Sequence, residues 1–387
     1  MAFINNWQTL SMEPRIERLE CWVFRAPVAV PLANAFGAMR NRPALFVRLT
    51  DDRGAFGWGE VFCNFPQVGA EHRARLISSI YAPLLENFAS TGPAAVRAML
   101  EQRTRQMAIQ CGEPGPFAQI IGAVDQALWD MAARRQNLPL WKLLGGLNRV
   151  RVYASGIGPD HVVDVALRKR DEGFRAFKLK VGFGLQRDLA NLSALRQALG
   201  DDACIMCDAN QAWQADDAAR HIAALAPLRP YWIEEPIGAD RPHAEWRELA
   251  HTSPVALAAG ENLRGQAQFD EVVDAGYLRF VQPDVGKWGG VSGGLEVARR
   301  AASRTVAYCP HWLGGGVGLA ASMHVLAGSG STDGWAEVDA NPNPLREAVC
   351  ALAVEDGWVT LPDTPGLGVL PDLEALAPYR VSVGLGA

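Results

Sequence analysis

No block of lysine or arginine stands out in these 387 residues, where 37 basic side chains are set against 42 acidic ones for a formal net charge of -5. Nucleic acid and anionic membrane surfaces both need clustered positive charge, so neither is expected as a partner and a small molecule is. Long apolar runs are missing as well. The opening MAFINNWQTLSMEPRIERLE has neither the basic start nor the unbroken apolar stretch of a secretory signal, and no later run is long enough to span a bilayer. A cytoplasmic location is the expectation. Cysteine is sparse and odd in number, seven from Cys21 to Cys350, which in a chain of this length argues against a disulfide framework. Cys204 and Cys207 form a CxxC, but without a second pair or a nearby histidine, and inside the strand-like ACIMCDAN, they read as small buried hydrophobes. With 49% hydrophobic and 20% charged residues, the rest is the composition of an ordinary globular protein.

Two halves of the chain differ in pattern. From about residue 15 to 62, IERLECWVFRAP, RPALFVRLT and AFGWGEVF read as an antiparallel meander, with Asp51-Asp52-Arg53-Gly54 as a turn. Helical patterns follow, clearest in FAQIIGAVDQALWDMAARR, where Ile121, Val124, Leu128 and Met131 make one apolar stripe. PLWKLLGGLNR looks like a junction. From about Val150 eight short apolar runs recur: VRVYASG, RAFKLKVG, ACIMCDAN, PYWIEEP, VALAAGEN, LRFVQPD, TVAYCPH and GWAEVD. Most are separated by Ala-, Leu- and Arg-rich helical stretches, which predicts alternating strands and helices and a closed parallel sheet of the (β/α)8 type. The tail, with VCALAVEDGWVTL and PDTPGLGVLPD, is expected to pack back on the N-terminal region.

An ionisable residue ends one run after another: Lys180, Asp208, Glu234, Glu261, Asp284, His311 and Glu337. The gaps between them are 28, 26, 27, 23, 27 and 26 residues, each about one strand, one helix and their loops. A parallel barrel puts the C-terminal ends of its strands on one face, so these residues are expected to share a pocket. Strand alternation turns Lys178 the same way as Lys180, and Asn210 the same way as Asp208. Two adjacent ammonium groups disfavour each other's charge and a metal nearby adds to it, which predicts a lowered lysine pKa and a general base near neutral pH. Asp208, Glu234 and Glu261 would repel one another without a cation, and oxygen-only ligation points to Mg²⁺ rather than zinc. Glu235 must face the other way or cap a loop. Asp284 and His311, from adjacent strands, read as a pair in which the carboxylate fixes the imidazole tautomer. Lys287 and His324 lie off these positions and read as surface or helix residues. The glycines of 314–318 have the make-up of a phosphate cradle, but with a metal already able to anchor an anion they read as a tight turn.

These motifs, in this order, resemble the enolase superfamily and, within it, the mandelate racemase subgroup. FKLKVG is similar to its KxK strand, CDAN, WIEEP and AGEN to its three metal strands, QPD with the following glycines and CPH to its Asp-His dyad, and WAEVD to its last-strand acid. The resemblance implies a TIM barrel over 141–365, an α+β capping domain over 1–140 and a tail, 366–387, returning to that cap. It implies that Mg²⁺ and Lys178 hold a substrate carboxylate while a base removes the proton on the adjacent carbon, a chemistry general to this superfamily. Lys180 would attack from one face and His311 from the other, with Asn210 at the substrate and Glu337 donating a hydrogen bond to the enediolate. Dehydration of a sugar acid is the favoured outcome. Racemisation or epimerisation of a 2-hydroxy or amino acid is the alternative, and a metal-holding barrel that binds without turnover is the third. Specificity is expected in the cap loops 36–40 and 63–66, with Phe36, Arg40 and Phe65, and in Trp312. Self-association into a homo-oligomer is also implied.

Overall fold

The computed structural model describes residues 14–34, 37–90 and 92–383. An antiparallel sheet comes first, β1 (Ile16–Asn34), β2 (Gly37–Asp51) and β3 (Phe56–Val61), with the 51–54 turn joining the last two. Residues 37–40, expected as part of a loop, are instead the outer end of β2, where Leu32 still pairs with Met39. Phe36 lies outside the described residues, and Arg40 is exposed. The helices Pro93–Gln110 and Pro114–Arg135 pack on this sheet. In β3 the alternation of FGWGEV gives its two faces different work. A Cβ on Gly57 or Gly59 would meet Ala127 O or Ala123 O at 2.0 Å, so these glycines let the long helix lie directly on the strand. Glu60, on the alternate positions, faces away from that helix contact.

The second half forms the barrel: β4 (Arg149–Ile157), β5 (Ala176–Lys180), β6 (Cys204–Asp208), β7 (Ile233–Glu234), β8 (Leu257–Ala259), β9 (Phe280–Val281), β10 (Ala307–Tyr308) and β11 (Ala336–Asp339). Parallel ladders run from β4 to β10 in chain order, and β11 returns to pair in parallel with β4, Glu337 opposite Tyr153. Alternation sorts each strand's side chains. Phe177, Leu179, Ile205, Cys207, Ile233 and Val281 point outward into the apolar layer beneath the helices. Tyr153, Ala176, Met206, Trp232, Phe280 and Cys309 point inward and pack together as a floor. Two residues further on, at each inward position, stands a polar group: Ser155, Lys178, Asp208, Glu234, Gln282 and His311. Burying a side chain such as Met206 or Phe280 in that floor contributes roughly 1.5–3 kcal/mol and keeps water from reaching the polar layer from below.

The expected return of the tail to the N-terminal region is only partly what happens. VCALAVEDGWVTL forms the hairpin β12 (Val354–Glu355) and β13 (Trp358–Thr360), and β13 adds to the barrel by pairing antiparallel with Arg149, Val150 and Arg151 of β4. The following loop does reach the cap: Asp130 accepts from Leu367 N at 2.6 Å, and β14 (Arg380–Val381) pairs with β1. Pairing with β4 wins for the hairpin because the start of that strand, ahead of its ladder with β11, leaves backbone groups to be satisfied. Among the described residues no helix is long and apolar enough to cross a membrane.

Candidate active site

Register places the acids. Lys180 is opposite Asp208, and Asp208 opposite Glu234, across consecutive parallel strands. Glu261 lies two residues beyond β8, and an isolated parallel bridge joins Asp284 to His311. All seven strand-end residues, with Lys178 and Asn210, meet in one connected network.

Each carboxylate in it leans on a cation. Lys178 Nζ lies 2.6 Å from Glu234 Oε1 and 2.8 Å from Glu337 Oε1, with no exposed surface. Lys180 Nζ lies 2.5 Å from Asp208 Oδ2 and 2.9 Å from Asn210 Oδ1, its side chain 16% exposed. His311 Nε2 lies 2.5 Å from Glu261 Oε2, and its Nδ1 2.6 Å from Asp284 Oδ2. Asp284 is itself fixed, accepting from the amides of Gly286 at 2.7 Å and Lys287 at 3.0 Å. Lys180 and His311 therefore stand at the two ends of the acid row Asp208, Glu234, Glu261.

The electrostatics follow from burial and crowding. Burial disfavours both ammonium groups, yet the acids win: Glu234 and Glu337 hold Lys178 well above the ordinary lysine value, and Asp208 raises Lys180. Within the acid row alone the repulsion between the two lysines is outweighed, because a unit pair about 4 Å apart at an effective dielectric near 20 is worth roughly 4 kcal/mol, and each lysine has nearer acids than lysines. His311, disfavoured by burial but faced by Glu261 and Glu337, is pushed up to about 10. Glu234 goes the other way: burial, then the neighbouring acids against the pull of Lys178, raise it to about 7. Glu337 is held below the carboxylate range by Lys178 and His311 despite burial. It accepts from Ser155 Oγ, from Lys178 and, at 3.3 Å, from Trp312 N. In this arrangement Glu337 is an acceptor of three bonds, and donating to an enediolate, as expected of it, requires that it first take up a proton.

Several participants carry no strand-end signal. Ser155 sits two residues after Tyr153 on β4, an inward position that a search for ionisable groups passes over. Gln282 precedes Asp284 by one alternation step and donates to Glu234 Oε2 at 2.6 Å. Lys287, expected as a surface or helix residue, is largely enclosed, 3.4 Å from Glu261 Oε1 and 4.6 Å from the ring centroid of Phe62 in the cap. It follows Asp284 by three residues on the same loop, a proximity that strand periodicity cannot register. Glu235 leaves the strand at φ 39° and braces two loops, accepting from Asn262 Nδ2 at 2.9 Å and Gln211 Nε2 at 3.1 Å. His324 is a buried helix residue, its Nδ1 accepting from Trp141 N at 2.8 Å, and burial pulls it down to about 4. Trp312 is 2% exposed with its indole N–H on Gly315 O at 2.9 Å, so it packs the loop rather than facing a ligand. The glycines 314–318 do cradle an acidic group, but it is the chain's own Glu60.

The donor set Asp208, Glu234 and Glu261 is all oxygen, buried and crowded enough to raise Glu234, the chemistry of a hard-cation site. Among the described residues no three His, Cys, Asp or Glu side chains already stand as a ligand shell. The three acids would have to turn from Lys180, Lys178 and His311 toward a shared ion, and strand register already sets Asp208 and Glu234 side by side.

Comparison with known proteins decides the lineage. Residues 161–375 match the family described as enolase C-terminal domain-like, and 18–145 the mandelate racemase/muconate lactonizing enzyme N-terminal domain. The chain belongs to the enolase superfamily, in its mandelate racemase/muconate lactonizing enzyme branch. A 3,6-anhydro-alpha-L-galactonate cycloisomerase of Streptomyces coelicolor is 33% identical over 95% of this chain and 100% of its own. A D-galactonate dehydratase of Verminephrobacter eiseniae is 32% identical over 73% of this chain and 74% of its own. Among solved structures, a mandelate racemase/muconate lactonizing enzyme from Bordetella bronchiseptica superposes with TM-score 0.90 at 48% identity, covering 95% of this chain and 99% of that one. A racemase from Streptomyces coelicolor with bound magnesium gives 0.85 at 32%, covering 95% and 100%. Relatives of this branch are thus enzymes named as sugar-acid cycloisomerases, dehydratases and racemases.

Proposed function

We propose that this enzyme removes the proton α to the carboxylate of a small sugar acid and expels the β-hydroxyl as water, leaving a 2-keto acid. The observation that carries this reading is the pair of proton-bearing groups at the two ends of the acid row: Lys180, the more exposed lysine, and His311, oriented by Asp284. Magnesium is the cation proposed for Asp208, Glu234 and Glu261, where it would neutralise the acids and supply positive charge for the substrate carboxylate and its developing negative charge.

Lys178, fully buried, offers its ammonium to a substrate carboxylate oxygen from the barrel floor, and Glu337 with Ser155 keeps that ammonium aimed. Asn210, bonded to Lys180, is placed to touch the substrate beside it. Lys180 takes the α-proton once it is unprotonated, which requires that Asp208 no longer hold its charge. The electrons of the broken C–H bond move into the carboxylate to form an enediolate. On its collapse the β C–O bond breaks, His311 Nε2 gives its proton to the departing hydroxyl, and the enol becomes the keto acid. A base so placed contributes roughly 10²- to 10⁴-fold, with charge stabilisation supplying most of the remainder.

Where the substrate lacks a β-hydroxyl, the same two groups perform racemisation, His311 returning a proton to the face opposite Lys180. The magnesium-bound racemase among the relatives supports keeping that reading. We also propose self-association into a homo-oligomer, checked by sedimentation. To test the main reading, a panel of aldonates and aldarates is incubated in deuterated buffer with Mg²⁺. A keto acid trapped by semicarbazide, suppressed by chelator, is expected. Deuterium at the α-carbon without keto acid would replace dehydration by racemisation, and neither product on any acid would leave a barrel that only binds.

A further inference from the structure

Glu60 lies in β3 of the N-terminal domain, yet its carboxylate ends inside the barrel's loops. One oxygen accepts from Gly315 N and the other from Gly318 N at 2.9 Å, the amides at the start of the helix Gly316–Ser329. Burial pushes this carboxyl up to about 8, against the pull of Gly318 and Gly315. Its backbone is fixed as firmly: Gln126 Oε1 accepts from Glu60 N at 3.1 Å, while Gln126 Nε2 donates to Glu60 O at 3.1 Å and to Val285 O at 3.0 Å. The next residues follow the same course, Phe62 N donating to Gly286 O at 3.2 Å and Asn64 Nδ2 to Leu313 O. The loop they grip begins at His311. Trp312 N donates to Glu337, the Trp312 indole donates to Gly315 O, and Asn343 Nδ2 holds Gly314 O at 2.8 Å. Two hydrogen bonds therefore separate Glu60 from the turn that sets the imidazole.

We propose that Glu60 is a positioning residue for the imidazole half of the site, its carboxylate seating loop 312–318 so that His311 and Trp312 keep their register against Glu337. The proposal rests on the two-sided proton chemistry above. Glu60 touches no substrate. Its effect is on the face His311 serves, since Lys180 is held by Asp208 and Asn210. A generic loss of folding would weaken both faces alike.

The test is Glu60→Gln, which keeps the shape but turns an NH₂ group toward a backbone N–H. With α-deuterated substrates of both C2 configurations, exchange on the His311 face is expected to fall roughly 10- to 100-fold while exchange on the Lys180 face stays within about twofold, as for a small misplacement of one reacting group. Amide hydrogen exchange across 312–318 should quicken at the same time. Equal losses on both faces, or no loss on either, would overturn the proposal. Should the variant fail to fold, Asn64→Ala, which removes the neighbouring anchor on Leu313 O, carries the same test. Wild-type protein that exchanges no α-proton would instead sink the proton-abstraction reading, and seating is then judged from amide exchange alone, where unchanged protection overturns it.

Discussion

Lys178 and Lys180 lie within β5, and their ammonium groups contact Asp208, Asn210, Glu234, Glu337 and the ring of Tyr153, all supplied by the barrel. His311 stands three residues beyond β10, on a loop that Glu60 and Asn64 tie to the N-terminal domain. One side of the site is set by strand register alone, whereas the other adds to its single parallel bridge, Asp284 to His311, a contact between domains. Register is local and cooperative with the barrel's core. A loop is only as well placed as what grips it, so the imidazole side depends on residues far away in the chain.

The largest break in this comparison is expected from Lys180→Ala. It should abolish α-proton exchange on its own face, a loss of about 10²- to 10⁴-fold or more, while His311→Asn leaves exchange on the lysine face and removes dehydration. Full dehydration by His311→Asn would strip the imidazole of its acid role. Next comes stability. Lys178→Met leaves Glu234 and Glu337 buried without their shared cation and should cost about 3–5 kcal/mol in urea unfolding, against a smaller loss for Lys180→Met at its more exposed position. Equal losses for the two would mean that burial does not distinguish them.

The smallest effect concerns pH and sharpens the contrast between interface and site. Burial raises two carboxyls between the domains, Glu60 from 4.5 to about 8 and Asp125, held by Ser292, from 3.8 to about 6. For an acid with a raised folded-state value the folded protein binds the extra proton, so its contribution is greatest below the unfolded value and is lost as pH rises through the folded one. The melting temperature of wild type relative to Glu60→Gln should therefore fall as pH climbs from about 5 to about 8. Asp339, whose burial is outweighed by Arg42 and which is thereby lowered, has the opposite sign, its contribution being lost as pH falls. A difference curve for Glu60→Gln flat across that window would contradict the assignment.

Most of the barrel and its site was legible because side-chain direction follows backbone period: once Lys180, Asp208 and Glu234 end their strands in register, they must share a face. Residues off that period were not. Lys287 lies in a loop, Ser155 has no charge to draw notice, and the partner that gives the glycine stretch 314–318 its use is 255 residues away from Gly315. The acids that face the lysines were not legible for a related reason. Neighbours in sequence suggested two cations repelling, whereas the fold brings nearer acids from β6, β7 and β11. The cap's meander and its long helix were also plain, but which face of β3 met the barrel depended on the approach that Gly57 and Gly59 allow.

The measurement that bears most directly on the central claim is anomalous diffraction from crystals soaked in Mn²⁺, a stand-in for magnesium, together with a sugar acid. A single peak ligated by Asp208, Glu234 and Glu261 is predicted, with Lys180 released from Asp208 and the substrate's α-carbon between its Nζ and His311 Nε2. No peak there, with the three acids still bonded to Lys180, Lys178 and His311, would contradict it.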